Sequence, residues 1–155
     1  MRPPEIHLLS DPRGRAELRA ALADYLGRAR GLRAHPDQMV VTSGYTQALG
    51  LLAGVLAESG VSAIAMENPG HPFHRQVVQR AGLRILPLPV DDYGARTDLL
   101  AGPGFADAGA VVLTPAHQYP AGATLHPGRR HWSCPRTSPD RSPRPSVTLT
   151  RTPRH

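Results

Sequence analysis

The spacing of apolar residues changes several times between positions 13 and 114, and the changes mark out alternating helices and strands. Across residues 13–30, Leu18, Leu22, Tyr25 and Leu26 recur at helical spacing on one face, with Arg15, Arg19 and Arg28 mostly off it. Asp11-Pro12 supplies an acidic cap and a first-turn proline, and Gly31 a stop. Residues 38–42 hold a short β-rich run, Met39-Val40-Val41, that breaks at Ser43-Gly44. A second helix follows over residues 45–59, with Ala48, Leu49, Leu52, Val55 and Leu56 on a wide apolar face and Gly60 at its end.

The same pattern then repeats. Residues 62–66 read as a small apolar strand, Glu67-Asn68-Pro69-Gly70 as a turn, and residues 71–81 as a helix closed by Gly82. A third strand over residues 83–88 is interrupted by Pro87 and Pro89, which suits a sheet edge or a strand that stops early. A turn at 91–94, a short helical piece at 97–101 and a fourth buried strand at 110–114 complete the series. Near-continuous apolar strands alternating with helices predict an α/β fold, a mostly parallel sheet with flanking helices.

From about Arg129 the periodicity ends. Residues 129–155 contain 7 Arg and 5 Pro among many Ser and Thr, with Trp132 as the one large apolar anchor. Such text buries too little surface to offset its ordering entropy, so a disordered C-terminal tail is expected. An out-of-frame reading of a GC-rich gene accounts for the abrupt change better than a genuine basic arm does.

Charge supports that division. Residues 1–128 hold 11 Arg against 11 Asp plus Glu, whereas residues 129–155 hold 7 Arg against Asp140 alone, so the tail carries the whole net charge of +6. A nucleic-acid binder acting through this tail would show only salt-sensitive, sequence-independent attraction. Cys134 is the single cysteine, which excludes an intrachain disulfide. The opening ten residues lack the apolar run of a secretion signal, and the longest apolar stretch, residues 48–57, is too short for a membrane span. A cytoplasmic location with no membrane partner is the default expectation.

Three loops carry candidate chemistry, each at the end of an expected strand. In Thr42-Ser43-Gly44-Tyr45-Thr46-Gln47 a strand hands over to a helix, whose first amides and dipole favour a phosphate, with Ser43 and Thr46 as hydroxyl donors. Taken alone, this segment reads better as an ordinary Ser-Gly turn. Glu67-Asn68-Pro69-Gly70-His71-Pro72 places His71 where its ring could lie against a planar heteroaromatic ligand, or where it is simply a loop histidine. Thr114-Pro115-Ala116-His117-Gln118-Tyr119-Pro120-Ala121-Gly122 gathers polar groups between prolines, or is a plain Pro/Gly turn. Three such loops at three strand ends are harder to dismiss than one. His71 and His74 lack a third ligand, so no metal site is expected and solvated helix-start residues are the better account. The Ser43-Gly44 turn also lacks the glycine pattern of a nucleophile elbow.

In this order and spacing, the three loops resemble the large domain of fold-type-I pyridoxal-phosphate proteins. More narrowly they resemble the aminotransferase-like effector domain of MocR-type regulators in the GntR superfamily. Ser10-Asp11-Pro12-Arg13-Gly14 with Glu17-Leu18-Arg19 resembles the domain's opening segment, and the likeness covers roughly residues 8–128. The resemblance implies pyridoxal 5′-phosphate as cofactor, with Ser43, Gly44, Tyr45 and Thr46 at its phosphate, His71 over its ring and Tyr119 near the ring oxygen. It also implies an amino-acid-like effector and a homodimer. The departures are His71 where a tyrosine is common, Ala121 in place of the threonine of a Pro-Thr-Gly turn, and Leu9-Ser10 in place of a Tyr-Gly pair.

One further departure is chemical. The family holds its cofactor covalently through lysine, and the 155 residues contain none, all 18 basic residues being arginine. A guanidinium is too basic and too delocalised to serve. The expectation is therefore an incomplete large domain, an internal fragment that retains part of a cofactor pocket, with no catalytic residue and no winged-helix DNA-binding domain. A fragment of a class I/II pyridoxal-phosphate-dependent aminotransferase is the alternative; the His117-Gln118-Tyr119 triplet tilts the reading to the regulator.

Overall fold

A computed structural model of the protein describes residues 11–130. The chain divides between Gln47 and Ala48 into two compact units, each taken by itself below.

In the first unit, α1 (Ala16–Arg30) starts later than the apolar spacing predicts, and Arg15 occupies its cap position without a side-chain bond. The expected acidic cap is not made. A turn closed by the Gly14 N–H on the Asp11 carbonyl at 2.8 Å intervenes. Asp11 accepts instead from the guanidinium groups of Arg13, at 2.9 Å, and Arg19, at 2.7 Å. The bonds from Arg13, side chain first and then backbone, with the charges of Arg13 and Arg19, bring its carboxyl down to about 2. The helix stops at Gly31 as expected. Its N–H bonds the Gly27 carbonyl at 3.1 Å with φ at 64°, a left-handed closure that favours glycine.

The expected apolar face of α1 is not its buried face. Leu18, Leu22 and Tyr25 are 44, 37 and 56% exposed, whereas Arg19 is 3% exposed. The Arg19 fork is satisfied from three sides, since Nε donates to Gly14 O (3.1 Å), Nη1 to Pro36 O (2.9 Å) and Nη2 to Asp11. A planar group with five fixed donors suits such a site, and buried charge is tolerated only with partners of this kind.

The strand expected at Met39–Val41 is also absent. A 3-10 turn forms at Pro36–Gln38 instead, and the Val41 N–H makes an isolated bond to Arg13 O at 2.8 Å. A β-prone run becomes a strand only against a partner, so propensity here yields to context.

The second helix, α2 (Tyr45–Glu58), matches its expected span and in the second unit buries Leu49, Ala53 and Leu56. There follow β1 (Ala63–Asn68), α3 (Pro72–Arg80), β2 (Arg84–Asp91), β3 (Gly94–Ala95) and β4 (Ala108–Val112). The sheet order is β3-β2-β1-β4, with β1 parallel to both β2 and β4, and β3 antiparallel to β2. This is the expected α/β fold. The two-residue β3 and the 3-10 turn at Pro103–Phe105 carry too few residues to leave a period in the sequence.

β1 lies between two parallel neighbours and is buried from Ala63 to Glu67, which is why it reads as an unbroken apolar run. Ala65 pairs with Leu86 and Val111 in register. Ala65, Leu88, Val111 and Leu113 join Leu100 and Leu125 in one cluster, against which Leu99 and Phe105 pack.

The prolines of β2 fall where they do no harm. The Arg84 N–H points to β1, bonding Ser62 O at 2.9 Å, so alternation turns positions 87 and 89 to the other side, where Pro89 O accepts from the Arg96 N–H at 2.9 Å.

Order extends past the expected boundary of the tail. Arg129 donates to both carboxylate oxygens of Asp91, at 2.6 and 2.8 Å, and to Gly94 O at 2.9 Å. Its own carbonyl accepts from the Thr97 hydroxyl at 2.9 Å. Arg129 is therefore part of the fold and not of the tail. Residues 131–155, the rest of the expected disordered segment, lie outside the described residues. No helix among the described residues is long and apolar enough to cross a membrane.

Two outcomes follow for stability. Leu88, fully buried, leaves a cavity as Leu88→Ala, and a loss of about 2–5 kcal/mol is expected in urea unfolding. Asp91 is held down to about 2, first by its bonds from Arg129. Its contribution is present above the ordinary 3.8 and is lost as pH falls toward 2. Arg129→Ala should flatten that acid limb of a Tm-against-pH profile.

Candidate functional site

The carboxyl ends of β1 and β4 are joined by a buried carboxylate. Glu67, the penultimate residue of β1, is 8% exposed. Its Oε1 accepts from the Thr114 N–H at 3.0 Å and its Oε2 accepts from the Thr114 hydroxyl. The expected strand 110–114 ends at Val112, and this leaves Thr114 to turn toward Glu67. Burial pushes the Glu67 carboxyl above its ordinary range, and the two Thr114 bonds, with a further one from the Gln118 side chain, oppose that shift.

The turn after β1 is braced from α3. The Arg75 Nη2 donates to Glu67 O at 2.5 Å and to Asn68 Oδ1 at 3.1 Å. Gly70 closes the turn so tightly that a Cβ there would stand 2.5 Å from Glu67 O, a space only a hydrogen can occupy. The turn delivers His71 to the N-cap of α3, with Pro72 in the first turn.

The loop after β4 is folded on itself. The Gln118 N–H bonds Ala123 O at 3.0 Å, the Gly122 N–H bonds Gln118 O at 2.6 Å, and the Leu125 N–H bonds Pro115 O at 2.9 Å. Leu125 anchors its far end in the core, 4% exposed, while Tyr119 at the tip is 55% exposed. The ring of Tyr119 lies 5.4 Å from that of His71, tilted by 37°. His71 is stacked in turn on His74 at 4.5 Å. His71 is exposed and His74 partly so, as expected of helix-start residues, and the two also belong to an aromatic group at the sheet's carboxyl end.

His71 and Tyr119, expected separately, are therefore neighbours. Ser43, Gly44, Tyr45 and Thr46 belong to the first unit. Gly44 has φ 147°, and α2 begins at Tyr45. The Ser43 N–H and hydroxyl both donate to Gln47 Oε1, at 2.6 and 2.9 Å, and the Thr42 hydroxyl donates to Gly44 O at 3.3 Å. The Ser43 hydroxyl, expected as a phosphate donor, is engaged by Gln47.

Residues 2–114 match the family of class I and II aminotransferases. The chain belongs to that family. It is 35% identical over 121 residues to the HTH-type pyridoxine biosynthesis transcriptional regulator PdxR of Corynebacterium glutamicum, covering 78% of this chain and 25% of the relative. It is 32% identical over 114 residues to the probable rhizopine catabolism regulatory protein MocR of Rhizobium meliloti, covering 72% and 22%. The chain thus spans about a quarter of the length of these relatives.

Among solved structures, an archaeal alanine:glyoxylate aminotransferase superposes with a TM-score of 0.69 at 31% identity, over 82% of this chain and 33% of that one. The α-aminoadipate aminotransferase LysN of Thermus thermophilus, complexed with N-(5′-phosphopyridoxyl)-L-leucine, gives 0.66 at 27% identity, over 81% and 31%. Pyridoxal 5′-phosphate is the family cofactor.

The residues present suit such a group in part. The exposed rings of His71 and Tyr119 can take a planar heteroaromatic face, whereas no side chain of the 155 residues can form an imine with it, since they include no lysine. Sequence reasoning missed Thr114, Arg75 and Gln118 as members of the site. Thr114 and Gln118 stand within the quoted loop, but nothing in a one-dimensional pattern shows which polar side chain will be buried between two loops.

A pH test follows for Glu67. Its proton is held more tightly in the folded chain, so the stability it contributes is complete below the ordinary 4.5 and is lost as pH rises through the folded value. Glu67→Gln does not titrate. The Tm of wild type relative to that variant should fall as pH rises from 4 toward neutrality, and a constant difference would contradict a buried, proton-retaining Glu67.

Proposed function

We propose that these residues are the front part of the pyridoxal-phosphate-binding effector domain of a MocR/GntR-like transcriptional regulator. The observation that carries this reading is the 32–35% identity to the regulators PdxR and MocR across most of the chain. The His117-Gln118-Tyr119 triplet agrees with it. The winged-helix domain and the lysine-bearing part of the effector domain belong, on this reading, to the stretches of those regulators that the chain does not span.

The residue roles follow the family pattern. Gly44, Tyr45 and Thr46 take the cofactor phosphate through the amides that open α2, where the helix dipole favours an anion. Ser43 joins them once its hydroxyl is released from Gln47. His71 covers the ring face, and Tyr119 lies toward the ring oxygen. When bound, the cofactor supplies an electrophilic aldehyde on an aromatic ring that can accept electron density. Without a lysine in reach, these residues orient and hold the ring and do not trap it. A small amino-acid-like effector, a homodimeric full-length regulator and a cytoplasmic location complete the proposal.

A class I/II aminotransferase parent is the second reading, favoured by the superposition on LysN and on alanine:glyoxylate aminotransferase. A winged-helix reading frame directly upstream in the genome supports the regulator, and its absence there supports the enzyme.

The binding claim is tested with the purified chain and pyridoxal 5′-phosphate. Weak, reversible binding is expected, and His71→Ala should weaken it about two- to tenfold, the value of one stacked aromatic contact. Mass spectrometry after borohydride treatment should find no modified side chain, the terminal amine being the one available site. A stably reduced adduct on an internal residue would overturn the non-covalent reading.

A further inference from the structure

Gln118 is 3% exposed, while the two rings beside it face solvent. Its side-chain amide uses both of its hydrogens. Nε2 donates to Pro69 O at 2.7 Å and to Tyr119 O at 2.6 Å, and Oε1 accepts from the Ala121 N–H at 3.2 Å. One end of this bridge is the carbonyl two residues before His71; the other is the carbonyl of Tyr119 itself.

The two loops are tied at two levels. Glu67 and Thr114 join their roots, next to the strands. Among the hydrogen bonds of the described residues, the tips are joined by the Gln118 amide to Pro69 O. A tyrosine 55% exposed has little packing to fix its position, so the placement of its ring against His71 follows the backbone beneath it. We infer that Gln118 is a positioning residue, whose amide sets the separation and tilt of the His71 and Tyr119 rings and so the fit of a planar heteroaromatic phosphate ester against them. The inference rests on His71 and Tyr119 being the ring contacts proposed above.

The chemistry of the bridge makes it testable by substitution at one position. Leucine at 118 fills the space and donates nothing. Glutamate has the same length but, ionised, sets a negative oxygen against two carbonyls; protonated, it regains one donor. A role in packing alone would not depend on that proton.

The experiment uses the 155-residue chain and pyridoxine 5′-phosphate, which has no aldehyde and cannot bind covalently. Without ligand, the ring-proton NMR shifts of His71 are compared between wild type and Tyr119→Leu to isolate the part due to the Tyr119 ring. Gln118→Leu should abolish that part and weaken binding about tenfold, the scale of one buried hydrogen bond with its carbonyl left unpaired. Gln118→Glu should bind more weakly than wild type at pH 7.5 and recover toward it as pH falls to 5. Affinity is read as the ratio of variant to wild type, so His71, His74, Arg75, His117 and Tyr119, common to both, cancel to first order. Glu67, which the Gln118 side chain also bonds, couples to a glutamate at 118, so the same ratio is read in the Glu67→Gln background, where the recovery at low pH should persist.

An unchanged His71 shift in Gln118→Leu, or a Gln118→Glu ratio independent of pH, overturns the inference. Should Gln118→Leu fail to fold, the Gln118→Glu ratio decides alone. If His71→Ala and Tyr119→Leu leave affinity unchanged, the ring-contact reading fails, and the ligand-free NMR comparison still decides the role of Gln118. If those two variants weaken binding while Gln118→Leu keeps the His71 shift, the ring contacts stand and Gln118 does not position them.

Discussion

The described part of the second unit is organised around a strand with no solvent face. β1 is flanked by β2 and β4 and is buried from Ala63 to Glu67. Such a strand can run on small apolar residues until the sheet ends, where its last inward position must still be filled. Here that position is Glu67, and a buried carboxylate requires donors. Thr114 supplies two, backbone and side chain, from the first residues beyond β4. The need to satisfy one carboxylate thereby fixes where the loop after β4 departs, and with it the placement of Gln118 and Tyr119.

How far this could be read from the chain depended on the range of the determining contact. The strands 62–66 and 83–88, the helices at 45–59 and 71–81 and the short helical piece at 97–101 were legible because each has its own period and its own Gly or Pro boundary. α1 was legible as a helix but not as to which side it buries. Leu18, Leu22 and Tyr25 form the obvious stripe, yet the buried residue is Arg19, whose partners Asp11, Gly14 and Pro36 lie 5 to 17 positions away. Pattern reading gives buried arginine no credit, because its burial depends entirely on acceptors that only the folded chain assembles. Met39–Val41 failed for the complementary reason, local propensity without a neighbour.

The candidate site divides along the same line. His71 and Tyr119 were legible as loop residues at strand ends, and their 5.4 Å neighbourhood follows from β1 and β4 being adjacent and parallel. Arg129 was assigned to the wrong segment because its arginine- and proline-rich surroundings outweighed one residue. Its bidentate bond to Asp91 spans 38 positions, and no composition window of ordinary length contains both ends.

These contacts bear on what a chain with no lysine can retain. Covalent attachment and ring positioning are separate tasks in this family, and the geometry here separates them physically. Positioning depends on the Glu67–Thr114 pair, the Arg75 brace and the Gln118 bridge, all built between residues 67 and 122 and none using a primary amine. A pocket wall of this kind can persist without the anchoring group, because the anchor is not among its supports. On the proposed reading, this wall then contributes to affinity through stacking alone. Such stacking is worth on the order of 1 kcal/mol where solvent reaches it, which on that reading makes the wall a reversible contact for a planar ring.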